Sequence, residues 1–217
     1  MTPAAAWLSK VAQQQTHGPF KRLLPYLRNP QTVSLASGMP APSVFPFKAM
    51  SLELVSDGDD KVTVDIQPSE LSAALQYGAT SGFPPLLSWV QQHVAKAHAP
   101  PNQASQAALS VGSTDALYKA GMAVLDPDDV VLTEEYSWVT LFAVARDRGA
   151  VCESVLNDDD GMIPEKLEEA CQRLVAQGKR PKMVYLVPIG HNPTGTSLSL
   201  ARKKQVRLFS CLLCAVR

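Results

Sequence analysis

From about residue 107 onward, short apolar runs alternate with longer stretches in which apolar residues recur every three or four positions. Ala107 to Val111, Asp129 to Thr133, Ala150 to Leu156 and Lys182 to Val187 read as strands. Between them, Ser113 to Leu125 reads as a helix, Ser137 to Arg148 as a helix closed by Gly149, and Pro164 to Gln177 as a helix with Pro at its first position and Gly178 past its end. Strands alternating with helices pair in parallel, so this pattern predicts an α/β domain with helices on both faces of a mostly parallel sheet.

The N-terminal part has a different rhythm. Residues 1 to 16 read as helical, from Ala4 through Gln15, and Pro, Gly and Asn then punctuate 17 to 50 so often that a wrapped arm with no long element is expected. Within the arm, Ser37-Gly38-Met39-Pro40-Ala41-Pro42 and Phe45-Pro46-Phe47 read as extended apolar loop. An acidic loop, Asp57-Gly58-Asp59-Asp60, precedes a short helix near Glu70 to Leu75. Pro84 to His98 then places Leu86, Leu87, Val90 and Val94 on one helical face.

Composition narrows the partners. The 217 residues are 46% hydrophobic and 18% charged, enough for a real core, and twenty basic residues balance twenty acidic ones. That balance points to no nucleic acid and no anionic membrane, and leaves a small molecule as the expected ligand. No apolar run approaches the ~18 residues of a membrane span. Lys10 and Gln13-Gln14-Gln15 interrupt the stretch where a signal peptide would be apolar, so the chain reads as cytoplasmic. A mitochondrial presequence is the alternative, and the first Arg, Arg22, falls late for one.

Cys152, Cys171, Cys211 and Cys214 are too few and too unevenly spaced for a disulfide framework. Cys211-Leu-Leu-Cys214 has C-x-x-C spacing, but no second pair or turn chemistry accompanies it, and incidental cysteines are the simpler reading. Asp158-Asp159-Asp160-Gly161 lacks the regular spacing and later Glu of a calcium loop, so it reads as a solvated turn. His17, His93, His98 and His191 show no metal-ligand spacing, and no metal is expected.

In an open parallel sheet, ligands bind beyond the carboxyl ends of the strands. After Ala107 to Val111 comes Gly112-Ser113-Thr114, a turn opening a helix, suited either to holding a phosphate or to plain capping. After Asp129 to Thr133 comes Glu134-Glu135-Tyr136-Ser137-Trp138, where Tyr136 could stack on a flat ligand or serve as a rim aromatic. After Lys182 to Val187 comes His191-Asn192-Pro193-Thr194-Gly195, where Asn192 offers an amide donor at the strand end. A phosphate cradle, an aromatic plate and an amide donor at one edge describe a pocket for a phosphorylated aromatic cofactor.

These motifs resemble the fold-type I, pyridoxal-phosphate-dependent aminotransferases of class I/II, in particular the kynurenine/α-aminoadipate and aromatic aminotransferases. The resemblance runs from about Pro30 to Gln205. It is carried by Asn192-Pro193-Thr194-Gly195 with Ser197-Leu198-Ser199, by Ser34-Leu35-Ala36-Ser37-Gly38-Met39-Pro40, by Leu75-Gln76-Tyr77-Gly78, by Val111-Gly112-Ser113-Thr114-Asp115-Ala116-Leu117, by Leu125-Asp126-Pro127-Asp128-Asp129 and by Asp160-Gly161-Met162-Ile163-Pro164. It implies pyridoxal 5′-phosphate bound through Ser113 and Thr114, stacked by Tyr136 and hydrogen-bonded by Asn192, which also orients the substrate carboxylate. It further implies that Gly38 lies against the substrate and that Tyr77 reaches the phosphate of a neighbouring subunit in a homodimer. The family usually has Gln where Thr114 stands.

By the same resemblance, the activity is transfer of an amino group from an aromatic amino acid, kynurenine or 2-aminoadipate to a 2-oxo acid. The family's Schiff-base Lys, its Asp at the pyridine nitrogen and its substrate-clamping Arg all lie beyond the region matched here, and Lys203 and Lys204 fall on a helix leading away from the site. The expected organisation is an N-terminal helix and arm over 1–50, a partial large domain over 51–206 and a divergent tail over 207–217, with no acid in 202–217. This reading expects a C-terminally truncated chain that carries no catalytic residue and is inactive alone. Its alternative is a non-catalytic partner that dimerises with a full-length aminotransferase.

Overall fold

The computed structural model describes residues 6–16, 18–27, 29–33, 35, 38–55, 61–100 and 105–213. In chain order its elements are α1 (Lys10–Gln14), α2 (Pro19–Leu27), β1 (Met50–Val55), β2 (Lys61–Ile66), α3 (Pro68–Leu75), α4 (Pro84–His98), α5 (Gly112–Val124), β3 (Asp129–Glu134), α6 (Val139–Asp147), β4 (Val151–Val155), β5 (Asn157–Asp158), β6 (Gly161–Met162), α7 (Pro164–Ala176), β7 (Arg180–Tyr185) and α8 (Leu200–Leu213). The chain divides into two compact units, one of Met1–Thr16 with Val111–Arg217 and one of His17–Ser110.

The first unit is built on a parallel sheet of order β4-β3-β7. Every residue of the central strand β3 is buried, as expected of a strand covered on both faces. Because successive side chains point to opposite faces, β3 feeds two cores. Val130 and Leu132 pack with Leu167, Leu174 and Val206 of α7 and α8, and with Val155 and Leu198. Val131 packs with Leu141 and Ala145 of α6, with Leu117 and Val124 of α5 against the same cluster. Each fully buried Leu or Val contributes about 1.5–3 kcal/mol relative to exposure, so β3 is the centre of this unit's stability.

Gly149 and Gly178 stop α6 and α7 at φ values of +68° and +70°, a conformation that costs a residue with a Cβ. Helix α1 is anchored by Ser9, whose hydroxyl accepts from the Ala12 amide at 3.1 Å and donates to the Met122 carbonyl at 2.7 Å. The predicted turn at Asp158–Gly161 joins β5 to β6, and Arg202 of α8 holds the Asp158 carboxylate with both terminal nitrogens, Nη2 at 2.6 Å from Oδ2.

The second unit contains α2, the hairpin β1–β2, α3 and α4. The hairpin register pairs Met50 with Ile66, Leu52 with Val64 and Leu54 with Val62, which puts six aliphatic side chains on one face. Ser51, Glu53, Thr63 and Asp65 occupy the other. On α4, His93 stacks on Trp89 at a centroid distance of 5.2 Å and is exposed to solvent.

Several expectations are corrected. Ala107 to Val111 is not a strand: residues 105–110 have no regular structure, and Leu109 N–H donates to Ser81 O at 2.8 Å. No strand of the described residues runs beside that segment, so its β-prone sequence has nothing to pair with. Among the described residues the expected N-terminal helix is broken: Ala6–Trp7 form a 3-10 turn and the α-helix starts at Lys10, capped by Ser9; residues 1–5 lie outside the described residues. The arm does form a nine-residue helix, α2. Pro19 opens it where an absent N–H costs nothing, and Pro25 falls in its last turn, where it forfeits one backbone bond. Hairpin β1–β2 was not foreseen. Its connecting acidic loop, Asp57–Asp60, lies outside the described residues, as do Ser34, Ala36, Ser37, His17 and Cys214.

Candidate functional site

Parallel pairing brings the carboxyl ends of β3 and β7 to one edge of the first unit's sheet, with Thr133 opposite Tyr185 in the last ladder pair. The chain leaves β3 through Glu135–Trp138 into α6. It leaves β7 through Leu186–Ser199 into α8. Thr133 Oγ1 donates to Ser137 Oγ at 2.9 Å, and Glu135 N–H donates to Val155 O at 3.0 Å, which fixes the course of the first loop towards Trp138.

At this edge lies a cavity of about 570 Å³ whose walls include Ser113 and Leu117 of α5, Trp138, Tyr185, Val187 and Asn192. Its size lies within the range of small-ligand sites, and its apolar and aromatic walls with a few polar groups are typical of them. Ser113 stands in the first turn of α5, where the positive end of the helix dipole favours an anion. Asp115 in the same turn accepts from Val111 N–H at 2.9 Å and from Lys119 Nζ at 2.6 Å. The Lys119 bond holds its carboxyl below the usual range and offsets its charge. Burial, and secondarily Glu134, raises the Tyr185 phenol above its usual value, so Tyr185 presents a neutral hydroxyl at neutral pH.

The segment carrying Asn192 is folded back on itself. His191 N–H donates to Thr196 O at 2.8 Å, Gly195 N–H to His191 O at 2.6 Å and Gly190 N–H to Ser197 Oγ at 2.9 Å, and the Asn192–Pro193 peptide is cis. The His191 side chain points inward, 1% exposed. Its Nδ1 lies 2.8 Å from Thr194 Oγ1, and its Nε2 lies 2.8 Å from Oε2 of Glu134, also 1% exposed. Nε2 and the carboxylate are in close contact by distance, but the geometry is not that of a hydrogen bond.

Of the residues singled out in the sequence, Ser113 and Asn192 line this cavity together. Thr114 follows Ser113 in the first turn of α5 and is exposed. Tyr136 is 58% exposed, and it is Trp138, two residues on, that forms the cavity wall. Gly38, at φ +53°, and Tyr77, 76% exposed, belong to the second unit. Sequence reasoning missed Trp138, Tyr185 and the Glu134–His191 pair. The alternation of β7 contained the signal for Tyr185, since it shares the face of Met183.

Residues 60–210 match the family model for aminotransferase class I and II. The chain belongs to the aminotransferase class I and II family. It is 32% identical to an aromatic amino acid aminotransferase of Schizosaccharomyces pombe over 92% of this chain and 46% of that protein. It is 35% identical to the mitochondrial kynurenine/alpha-aminoadipate aminotransferase of Mus musculus over 80% of this chain and 43% of that protein. The crystal structure of the aminotransferase Aro8 from Candida albicans matches it with a TM-score of 0.88 at 30% identity, covering 96% of this chain and 47% of that one. The fold is therefore that of the aminotransferases, and the chain spans about half the length of the curated relatives it matches.

Proposed function

We propose that the cavity at the ends of β3 and β7 holds pyridoxal 5′-phosphate, and that the chain supplies the cofactor-binding half of an aminotransferase. Its amino donor would be an aromatic amino acid, kynurenine or 2-aminoadipate, and its acceptor a 2-oxo acid. One observation carries this: a helix N-terminal hydroxyl, an amide side chain and two aromatic rings converge on one cavity of about 570 Å³.

The residues suit the group chemically. The Ser113 hydroxyl and the first-turn amides of α5 receive the phosphate, with Thr114 as a second hydroxyl beside them. Tyr136 stacks on the pyridine ring, with Trp138 as a further aromatic wall. Asn192 donates its amide to the ring hydroxyl and orients the substrate carboxylate. Gly38 lies against the substrate, and Tyr77 reaches the phosphate of a neighbouring subunit in a homodimer. When bound, pyridoxal phosphate supplies an electron sink for the bonds at the amino acid's α-carbon.

Among the described residues no lysine lines the cavity, which supports a reading in which these 217 residues hold the cofactor without turning over. Equilibrium dialysis with pyridoxal 5′-phosphate, followed by an assay with tyrosine, kynurenine or 2-aminoadipate plus 2-oxoglutarate, tests both parts. Saturable retention without glutamate formation is expected. Glutamate formation would overturn the inactivity, and absence of retention would overturn the site.

The apolar face of β1–β2 favours a second reading, a non-catalytic partner that dimerises with a full-length aminotransferase. Met50, Leu52, Leu54, Val62 and Val64 are each 38–48% exposed there, and a two-stranded sheet needs a covered face for stability. Co-expression with a tagged full-length family member should yield a mixed dimer; recovery of separate species alone removes this reading.

A further inference from the structure

Glu134 and His191 are each about 99% buried and lie outside the cavity lining. One oxygen, Glu134 Oε2, faces His191 Nε2 at 2.8 Å and accepts the Val187 amide at 3.2 Å. That carboxylate thus grips the chain leaving β7 at two points, Val187 and His191. Val187 and Asn192, the residue after His191, both line the cavity. On the other side of the ring, Thr194 Oγ1 meets Nδ1 at 2.8 Å and lies 2.9 Å from Thr196 Oγ1.

Stability alone gives no reason for such a pair. Burying a carboxylate beside an imidazole costs desolvation that their attraction only offsets, and apolar residues of similar volume serve as well or better. Geometry gives one. A ring hydrogen-bonded at Nδ1 and butted against Glu134 at Nε2 restricts the rotation of the backbone at His191, and hence the direction of the next side chain.

We propose that Glu134, His191 and Thr194 are positioning residues for Asn192, a chain of contacts that aims its amide into the cavity. The inference rests on the reading of that cavity as a cofactor site. Glu134 and His191 touch no ligand in this account and act through Asn192 alone.

The test uses the full 217-residue chain. The probe is 4′-deoxypyridoxine 5′-phosphate, which has no aldehyde and so reports non-covalent fit. Thr194 is exposed, so Thr194→Val removes the hydroxyl without disturbing a core. It should weaken probe affinity about three- to tenfold, the worth of one hydrogen bond. Thr194→Ser should restore the affinity, and the effect of Thr194→Val should vanish in an Asn192→Ala background. An equal loss in that background, or no loss at all, overturns the inference.

A second measurement needs no ligand. In 1H–15N spectra of the free chain, Thr194→Val and Glu134→Gln should shift or broaden the Asn192 side-chain amide more than the other Asn and Gln amides. An unmoved Asn192 amide in both variants overturns the inference. If the unsubstituted chain binds no probe, the cofactor reading fails, and the amide signal still decides whether Asn192 is held this way.

Discussion

Val144 of α6 occupies the space a side chain on Gly121 of α5 would need: a β-carbon there would meet Val144 Cγ1 at 2.6 Å. Both helices cover the same face of the sheet, and Gly121 sets how closely they approach. Val144 is 2% exposed and β-branched, so it has little freedom to yield.

Gly121→Ala is therefore expected to destabilise, although alanine is the better helix former. Overpacking costs about 1–3 kcal/mol, and the gain in helix propensity returns up to about 1 kcal/mol. A net loss of about 1–2 kcal/mol should appear as a lowered urea midpoint with unchanged slope. A raised midpoint would show that α5 and α6 pack more loosely than described.

The anchoring of α1 rests on Ser9, 0% exposed. Ser9→Ala removes a cap and a hydrogen bond to α5, with an expected cost of about 1–2 kcal/mol. Limited trypsin digestion checks this, because cleavage after Lys10 should accelerate in the variant while cleavage after Arg173 should not.

The Asp158–Arg202 pair makes a pH-dependent prediction. The Arg202 hydrogen bond holds the Asp158 carboxyl below its usual value. A depressed folded-state value means the pair's contribution is fully present above the unfolded carboxyl value of about 3.9 and is lost as pH falls through the folded one. With Asp158 44% exposed, the contribution is under about 1 kcal/mol. Urea midpoints of the unsubstituted chain and Arg202→Gln should differ at pH 7 and converge below pH 4. A gap that persists at pH 2 would assign the remainder to contacts of Arg202 that do not titrate, such as the hydrogen bond it donates to the Gly161 carbonyl at 3.1 Å.

Cys171 lies in the core between α7 and the sheet, and burial pushes its thiol up to about 11. At pH 8 it should resist iodoacetamide until the first unit unfolds. Mass-spectrometric labelling against urea should therefore place modification of Cys171 at the unfolding midpoint. Labelling well below that midpoint would mean α7 opens locally.

The parts legible in the sequence are those where local chemistry and tertiary environment agree. Pro164 and Gly178 bracket α7, Gly149 ends α6, and the apolar run Val130–Leu132 marks the strand β3, although the burial of its flanking Asp129, Thr133 and Glu134 is not written in their residue types. Ala107–Val111 looks like a strand because it is apolar, but a strand requires a partner, and pairing is not written in the segment itself. Hairpin β1–β2 was hidden for the converse reason. Its alternation is clean, yet the acidic loop between its strands draws the reading to a loop there, and the flanking segments go unassigned.

At the site, Ser113 and Asn192 were visible as residue types at helix and strand ends. Trp138 lines the cavity while Tyr136 is 58% exposed, a difference the sequence does not display. The Glu134–His191 contact joins positions 57 residues apart and becomes visible only when β3 and β7 lie side by side.

The central claim is that the Ser113 end of α5 receives a cofactor phosphate. The most direct measurement is 31P NMR of pyridoxal 5′-phosphate titrated with the 217-residue chain and with Ser113→Asp, which sets a carboxylate where the phosphate should sit. A saturable shift and broadening of the phosphorus resonance is expected with the unsubstituted chain, and none with Ser113→Asp. An identical response from both proteins, or none from either, would contradict it.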